Sequence, residues 1–183
     1  MHKQQNGEQL FRVLKSLDEF YFGSTVTSWN GAMSSSANIA EFCGYYIIYQ
    51  IDNGKEVALY IRGLPKEILQ SNAVRFAIDV WIARKTNNYA TFFKLLRTSN
   101  YLQACCMFRY VGDMRLTALK SMCRTYRAGK IEAYHPIPEL IKELMFEGEE
   151  DVLDFLEHCG LEVNSQLTHT FYYGILGCGR WGE

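Results

Sequence analysis

The 183-residue sequence lacks the short motifs that mark the common catalytic centres. It has no G-x-S-x-G turn, no glycine-rich phosphate loop ending in Lys-Ser or Lys-Thr, no H-E-x-x-H and no dinucleotide-binding fingerprint. His158 and Cys159 form the one close His/Cys pair, and neighbours on a helix diverge by about 100°, so they cannot act together. These absences predict a protein that is not an enzyme and that holds no cofactor and no metal.

Disulfide and zinc frameworks are missing as well, because no two cysteines have C-x-x-C spacing. The six cysteines are Cys43, Cys105, Cys106, Cys123, Cys159 and Cys178. We expect reduced thiols in the core.

The most apolar run, Phe42 to Tyr49, is far shorter than the roughly 20 residues that span a bilayer. The N-terminus has no apolar stretch of signal-peptide length, so we expect a nuclear or cytosolic protein without a membrane partner.

The chain does contain enough apolar surface for a substantial core, since 48% of its residues are hydrophobic and 14% are aromatic. Apolar residues recur at helical spacing, most clearly in the stripe Val74, Ala77, Ile78, Trp81 and Ile82. The predicted helices are 4–22, 37–51, 54–61, 66–86, 89–99, 101–111, 115–127, 139–146 and 149–159. A loop is predicted at 23–36, and Gly112 is predicted to break the chain between two helices. This all-α pattern is typical of a stacked helical array.

Towards the C-terminus the pattern changes to a helix-turn-helix. Pro136 and Pro138 precede one helix, and Gly148 makes a tight turn before the next. With residues 115–127 as the first helix and a short strand at 161–163, the unit would be a winged helix. Its last helix carries no Lys or Arg and five carboxylates, those of Glu149, Glu150, Asp151, Asp154 and Glu157. Because carboxylates repel phosphate, we interpret this helix as a protein-contact surface, with Val152, Phe155 and Leu156 facing its own core.

The net charge of −1 hides a strong asymmetry along the chain. Residues 1–74 carry 6 basic and 7 acidic groups, residues 75–130 carry 11 and 2, and residues 131–183 carry 2 and 11, which gives −1, +9 and −9. A surface for a polyanion such as RNA is therefore expected in the middle block. The alternative, that the basic and acidic blocks attract each other, has equal weight.

Seven cations of the basic block are candidate RNA contacts. Lys120, Arg124 and Arg127 form one helical stripe at i, i+4 and i+7. The full set is Lys94, Arg97, Arg109, Arg115, Lys120, Arg124 and Arg127. The same stripe could also be a solvated face, or could form salt bridges with a partner subunit. Base stacking is a further use for the nearby aromatics, although aromatics at helical spacing usually lie in the core; these are Tyr89, Phe92, Phe93 and Tyr101.

Several ordered motifs resemble the Sac-three/GANP (germinal-centre-associated nuclear protein) family. They are Ala40–Tyr46 (AEFCGYY), Asn72–Ala77 (NAVRFA), Asn88–Leu95 (NYATFFKL), Ser99–Cys105 (SNYLQAC), Arg115–Met122 (RLTALKSM) and Glu149–Leu161 (EEDVLDFLEHCGL). The resemblance covers about residues 8–164. Ser165–Glu183 resembles nothing in the family.

The resemblance implies a PCI fold, with a helical-repeat part at 1–114, a winged-helix part at 115–164 whose wing could be incomplete, and an irregular tail at 165–183. It also implies a non-catalytic scaffold of the TREX-two type in mRNA export, located in the nucleus or at the nuclear pore and also in the cytoplasm. The implied partners are a second PCI subunit and a small acidic peptide-like subunit, with RNA as a candidate ligand and no small-molecule substrate.

Two alternatives stay open. A PCI subunit of the proteasome-lid or translation-initiation type would have the same fold, with the basic block facing protein. The other is an enzyme that uses a thiol of Cys105, Cys106 or Cys178.

Overall fold

The computed structural model describes residues 2–22, 38–128, 134–160 and 170–172. The loop predicted at 23–36 and the strand predicted at 161–163 lie outside these residues. The chain forms two compact units, Met1–Arg109 and Tyr110–Glu183. Within the described residues, everything but turns and two three-residue strands is helical, which confirms the all-α prediction.

The first unit is a series of helices arranged around one buried helix. They are α1 (His2–Phe22), α2 (Ile39–Tyr49), α3 (Gly54–Gly63), α4 (Lys66–Leu69), α5 (Asn72–Lys85), α6 (Tyr89–Thr98) and α7 (Tyr101–Phe108). Helix α2 packs against α1, α5 and α7, and its Ile47 and Ile48 are completely buried. The helix predicted at 37–51 is confirmed, and it buries Ile39, Cys43, Gly44, Tyr45, Ile47 and Ile48 because a central helix must bury more than one face.

Hydrogen bonds between side chains and distant elements hold α1 on this core. The Tyr49 hydroxyl donates to the Gly7 carbonyl at 2.7 Å, and the Tyr60 hydroxyl donates to the Asp18 carboxylate at 2.8 Å. Leu14 of α1 is buried, as the helical spacing of its neighbours predicts. The N-terminal helix is therefore part of the first unit and not an extension from it.

The single helix predicted at 66–86 is wrong, because the chain makes two helices there. The Ser71 side chain accepts the Val74 N–H at 3.3 Å and donates to the Ile68 carbonyl at 2.6 Å, so it closes α4 and caps α5 together.

The predicted core stripe of α5 is also wrong in part: Val74 and Ala77 are buried, but Ile82 is exposed. Val80 and Ala83 take the inner positions. A Cβ added at Gly44 of α2 would lie 3.0 Å from the Ala73 carbonyl oxygen, so the two helices approach closely at this point. Close approach favours small inward side chains, and the larger Trp81 and Ile82 lie to the side.

Where the structure describes it, the second unit contains three helices and one strand pair. They are α8 (Val111–Ala128), β1 (Tyr134–Pro136), α9 (Ile137–Leu144), α10 (Glu149–His158) and β2 (Thr170–Tyr172). Strands β1 and β2 are antiparallel, with Tyr134 opposite Tyr172. Its most deeply buried described side chains are Met114, Ala118, Leu119, Ile137, Leu140, Leu144, Val152 and Leu156.

Gly112 does not break the chain as predicted, because α8 begins at Val111 and includes it. Glycine costs little in a first turn, where the helix has few hydrogen bonds to lose. Helix α9 likewise starts earlier than predicted, at Ile137, and accepts Pro138 in its first turn for the same reason. Met145, at φ 54°, ends α9 in the left-handed conformation.

Candidate partner and nucleic-acid surfaces

Helix α10 divides its side chains sharply between two faces. Val152 and Leu156 are buried, and the half-buried Phe155 packs edge-on against Phe146 with ring centroids 5.5 Å apart. All five predicted partner-contact carboxylates are exposed: Glu149, Glu150, Asp151, Asp154 and Glu157. Three of them lie in the first turn, where the helix dipole favours negative charge. The first-turn carboxylates therefore add to the stability of the helix, and the acidic face is exposed.

Helix α8 carries the predicted basic stripe of the second unit. Lys120 is half-buried and Arg124 is exposed. Arg127 follows one turn later on the same helix. The burial of Cys159 raises the pKa of its thiol, and the positive charge of Lys120 opposes that rise. The stripe therefore begins beside the end of α10 and continues along α8.

Arg115 differs from the other predicted RNA contacts because its guanidinium bonds within the protein. It donates from Nε to the Leu144 carbonyl at 3.1 Å and from an Nη to the Met145 carbonyl. Its Cζ lies 3.8 Å from the centroid of the Phe146 ring. Burial lowers the pKa of Arg115, and the nearby carboxylates of Asp151 and Glu147 oppose this. The carbonyls at the end of α9 gain the donors that the helix itself cannot supply.

The remaining three cations belong to the first unit. Lys94 and Arg97 lie on α6 and are exposed. Arg109 follows α7, is exposed, and places its Cζ 4.5 Å from the centroid of the Tyr49 ring. The seven candidate residues therefore fall into two groups, each on a different compact unit.

The four aromatics weighed for base stacking have different environments. Phe92 and Phe93 are completely buried and pack edge-on at 5.6 Å, and Tyr89 is half-buried. Tyr101 is 81% exposed. Sequence reasoning missed Phe108, which is 66% exposed on the same helix. The signal was the spacing of Tyr101, Cys105 and Phe108 at i, i+4 and i+7, a second apolar stripe beside the one that packs inward.

The thiols give little support to nucleophilic chemistry where the structure describes them. Burial raises the pKa of both Cys43 and Cys106 to about 11, so neither thiol ionises near neutral pH. Cys105 is exposed, and Cys178 lies outside the described residues.

Among the described residues no three His, Cys, Asp or Glu side chains are grouped as metal ligands would be. Nor does any described helix combine the length and the apolar character needed to cross a bilayer.

A groove of about 450 Å³ lies in the first unit between α1, α2 and α3. Phe11, Tyr46 and Leu59 give it apolar walls, and Lys15 and Glu56 add opposite charges. The Asp18 carboxylate, which also lines the groove, accepts a hydrogen bond from the Tyr60 hydroxyl, and burial raises the pKa of Asp18. The bond between these two groups explains how a half-buried carboxyl is tolerated.

These features define a class: a helical module with an exposed acidic face and exposed basic residues. The family model described as SAC3/GANP family matches residues 1–165, so the chain belongs to that family, which confirms the resemblance drawn from the motifs.

Three curated relatives support this assignment. The chain is 28% identical over 163 residues to "Protein xmas" of Drosophila melanogaster, an alignment that covers 87% of this chain and 8% of the relative. It is 32% identical over 130 residues to "SAC3 family protein B" of Arabidopsis thaliana, covering 67% and 7%. It is 29% identical over 135 residues to "SAC3 family protein A" of the same plant, covering 70% and 13%. The chain spans only a small part of the length of these relatives.

Proposed function

We propose that this chain is a scaffold segment of a nuclear mRNA-export complex of the TREX-two type, acting through binding and not through catalysis. Family membership supports the export role. The observation that carries the binding role is the division of α10, where Val152 and Leu156 are buried and five carboxylates face solvent. A helix that is already packed on one side can offer the other to a partner without refolding.

The proposed architecture is a PCI domain. Residues 1–114 would be the helical-repeat part, and residues 115–164 would be the winged-helix part, with α8, α9 and α10 as its three helices. The β1–β2 pair supports a wing, although β2 lies within 165–183, the segment predicted to be an irregular tail. In this proposal the second PCI subunit and the small acidic subunit bind the assembled domain in the nucleus, at the pore or in transit through the cytoplasm.

The proposed partner of the acidic face is a basic surface of the second PCI subunit. Exposed carboxylates on a rigid helix attract cations over about 8–10 Å at physiological salt and fix the orientation of docking more than its strength. Glu150, Asp154 and Glu157 share one stripe at i, i+4 and i+7, so they can meet one partner surface together.

The test of the partner role is a pull-down with the tagged full chain from nuclear extract, scored by mass spectrometry. We expect mRNA-export subunits to be recovered with the wild-type chain and lost with Glu150→Lys/Asp154→Lys/Glu157→Lys. The matched control reverses three exposed carboxylates on other helices, Glu67→Lys/Asp79→Lys/Glu139→Lys, and should retain the partners. Recovery of proteasome-lid or translation-initiation subunits in place of export factors would contradict the proposal.

RNA is the proposed second ligand, held on the α8 stripe by its phosphates. Charge reversal in Lys120→Glu/Arg124→Glu/Arg127→Glu should weaken binding of a short single-stranded RNA by about tenfold or more. Since each lost phosphate contact on a single strand reduces the salt slope by about 0.7, the slope should fall by about 2. Arg62→Glu/Lys66→Glu/Arg75→Glu, three exposed cations of the first unit, is the control. An equal loss in both variants would mean that only total charge matters.

A further inference from the structure

We propose that the outward face of α7, which consists of Tyr101, Leu102, Cys105 and Phe108, is a stacking surface for the unpaired bases of single-stranded nucleic acid. This inference extends the RNA-binding part of the proposed function to a second surface, on the first unit. It does not depend on the α8 stripe.

The outward face of α7 exposes large apolar side chains to solvent, although the other side of the helix is packed. Tyr101 is 81% exposed and Phe108 is 66% exposed, while Cys106 and Met107 of the same helix are buried. Apolar side chains as large as these rarely stay accessible as a group without a ligand or partner. Cys105 is exposed between the rings, and Leu102 is exposed about 100° around the helix from Tyr101 and widens the apolar face.

The backbone beneath this face is firmly held. Asn100 and Gln103 form a complete capping box: the Asn100 side chain accepts the Gln103 N–H at 2.8 Å, and the Gln103 side chain accepts the Asn100 N–H at 3.0 Å. Tyr101 is the first residue of this capped helix. A ring on a fixed backbone loses little conformational entropy when a base stacks on it, which favours binding.

The spacing of the two rings suits stacked bases. Seven residues separate Tyr101 from Phe108, a rise of about 10.5 Å along the helix. All Cβ atoms tilt toward the N-terminus of a helix, so the Cβ atoms of the two residues keep this separation. Two bases stacked between two rings need three intervals of about 3.4 Å, or about 10.2 Å in total. Cys105, between the rings, is small enough to leave that space.

The charge around this face favours an anion. From Val80 to Arg109 the chain has no Asp or Glu and five cations, Arg84, Lys85, Lys94, Arg97 and Arg109, of which Arg84 is paired with the Asp52 carboxylate at 3.3 Å. Along the chain, Arg97 precedes Tyr101 by four residues and Arg109 directly follows Phe108, with the Arg109 Cζ 4.5 Å from the centroid of the Tyr49 ring. On α2, which packs against α7, Glu41 accepts the Tyr45 hydroxyl. Cations beside exposed rings are the combination that sequence-tolerant binders of single strands use.

The test compares a short fluorescent single-stranded RNA with the same strand annealed to its complement, using anisotropy and the full chain. We expect the wild type to prefer the single strand, because duplex bases cannot reach the rings. Tyr101→Ala/Phe108→Ala should weaken single-strand binding by about tenfold or more and leave duplex binding unchanged. Its salt slope should stay at the wild-type value, since no phosphate contact is lost.

Two controls separate stacking from exposed apolar area in general. Phe20→Ala/Leu59→Ala removes two equally exposed apolar side chains of the first unit, with Phe20 82% exposed, and should bind RNA as the wild type does. Tyr101→Phe/Phe108→Tyr keeps both rings and should also retain affinity. Far-UV circular dichroism should show unchanged helicity in all variants.

The outcomes distinguish this inference from the proposed α8 stripe. If Tyr101→Ala/Phe108→Ala binds the single strand as tightly as the wild type while the α8 reversal weakens it, the stacking surface is wrong and the stripe stands. If the aromatic variant alone loses affinity, the stripe is wrong and the stacking surface stands. A third outcome would overturn the inference in favour of protein docking. In that outcome the wild type binds single strand and duplex with equal affinity, and it also binds an acidic amphipathic peptide that Tyr101→Ala/Phe108→Ala no longer binds.

Discussion

Helices α7 and α10 are both packed on one side and open on the other, but their open sides differ in chemistry. The open side of α10 presents five carboxylates, while that of α7 presents two aromatic rings, a leucine and a thiol. Contacts to the first are screened by salt and fix orientation, whereas contacts to the second depend on shape and on the removal of water. We therefore expect the two faces to bind ligands of different chemistry.

The largest expected difference in the free energy of unfolding lies between a mutation on the buried face of α10 and one on the exposed face of α7. Leu156→Ala on the inner face of α10 should lower the free energy of unfolding by about 3 kcal/mol, because it removes a buried side chain and leaves a cavity. Leu102→Ala on the outer face of α7 should change it by less than about 0.5 kcal/mol. Urea denaturation followed by circular dichroism measures both. A small effect of Leu156→Ala would mean that α10 is not anchored, and the argument from its acidic face would fail.

The two faces of α10 were predictable from the sequence, and the open face of α7 was not. In α10 the apolar residues Val152 and Leu156 alternate with carboxylates, so there is one choice for the core face. In α7 nearly every side chain is apolar, and periodicity cannot decide which stripe packs inward. The same ambiguity made the α5 stripe partly wrong, since the close approach at Gly44 that selects small residues is a tertiary feature.

Arg115 shows a second limit of the sequence. It belongs to a basic block, and the sequence alone groups it with the RNA candidates for that reason. Its acceptors, the carbonyls of Leu144 and Met145, lie about thirty residues further along the chain and carry no side-chain signal. The cations that face solvent, such as Arg124, have the same local pattern. Charge alone therefore locates a basic region, and only the fold separates its structural members from those available to a ligand.

The next largest effect follows from this difference between two arginines. Arg115→Ala should lower the free energy of unfolding by about 2 kcal/mol, because two carbonyls lose a charged donor and the Phe146 ring loses its cation. Arg124→Ala, on the same helix but exposed, should cost less than about 0.5 kcal/mol. RNA affinity should respond in the opposite order, with the greater loss in Arg124→Ala. Equal free energies of unfolding for the two variants would show that the Arg115 contacts make no net contribution to stability.

The smallest expected effect on stability comes from modifying a thiol of α7. A comparison of two adjacent thiols also tests which face of that helix is exposed. Cys105 is exposed and Cys106 is buried, so they sample the outer and inner faces of one helix. A maleimide should label Cys105 rapidly at neutral pH. Its labelling should change the free energy of unfolding by less than about 0.5 kcal/mol and should block single-strand binding if the stacking surface is correct.

Cys106 should react slowly in the Cys105→Ala variant, because burial raises the pKa of its thiol to about 11 and little thiolate exists below that pH. Its rate should rise about tenfold per pH unit until the pH approaches that value, since the thiolate is the species that reacts. The raised pKa favours the neutral thiol in the fold, so its stabilising contribution is present below pH 9 and declines as the pH rises toward 11. Equal reactivity of the two thiols at neutral pH would show that α7 has no inner face, and the contrast with α10 would disappear.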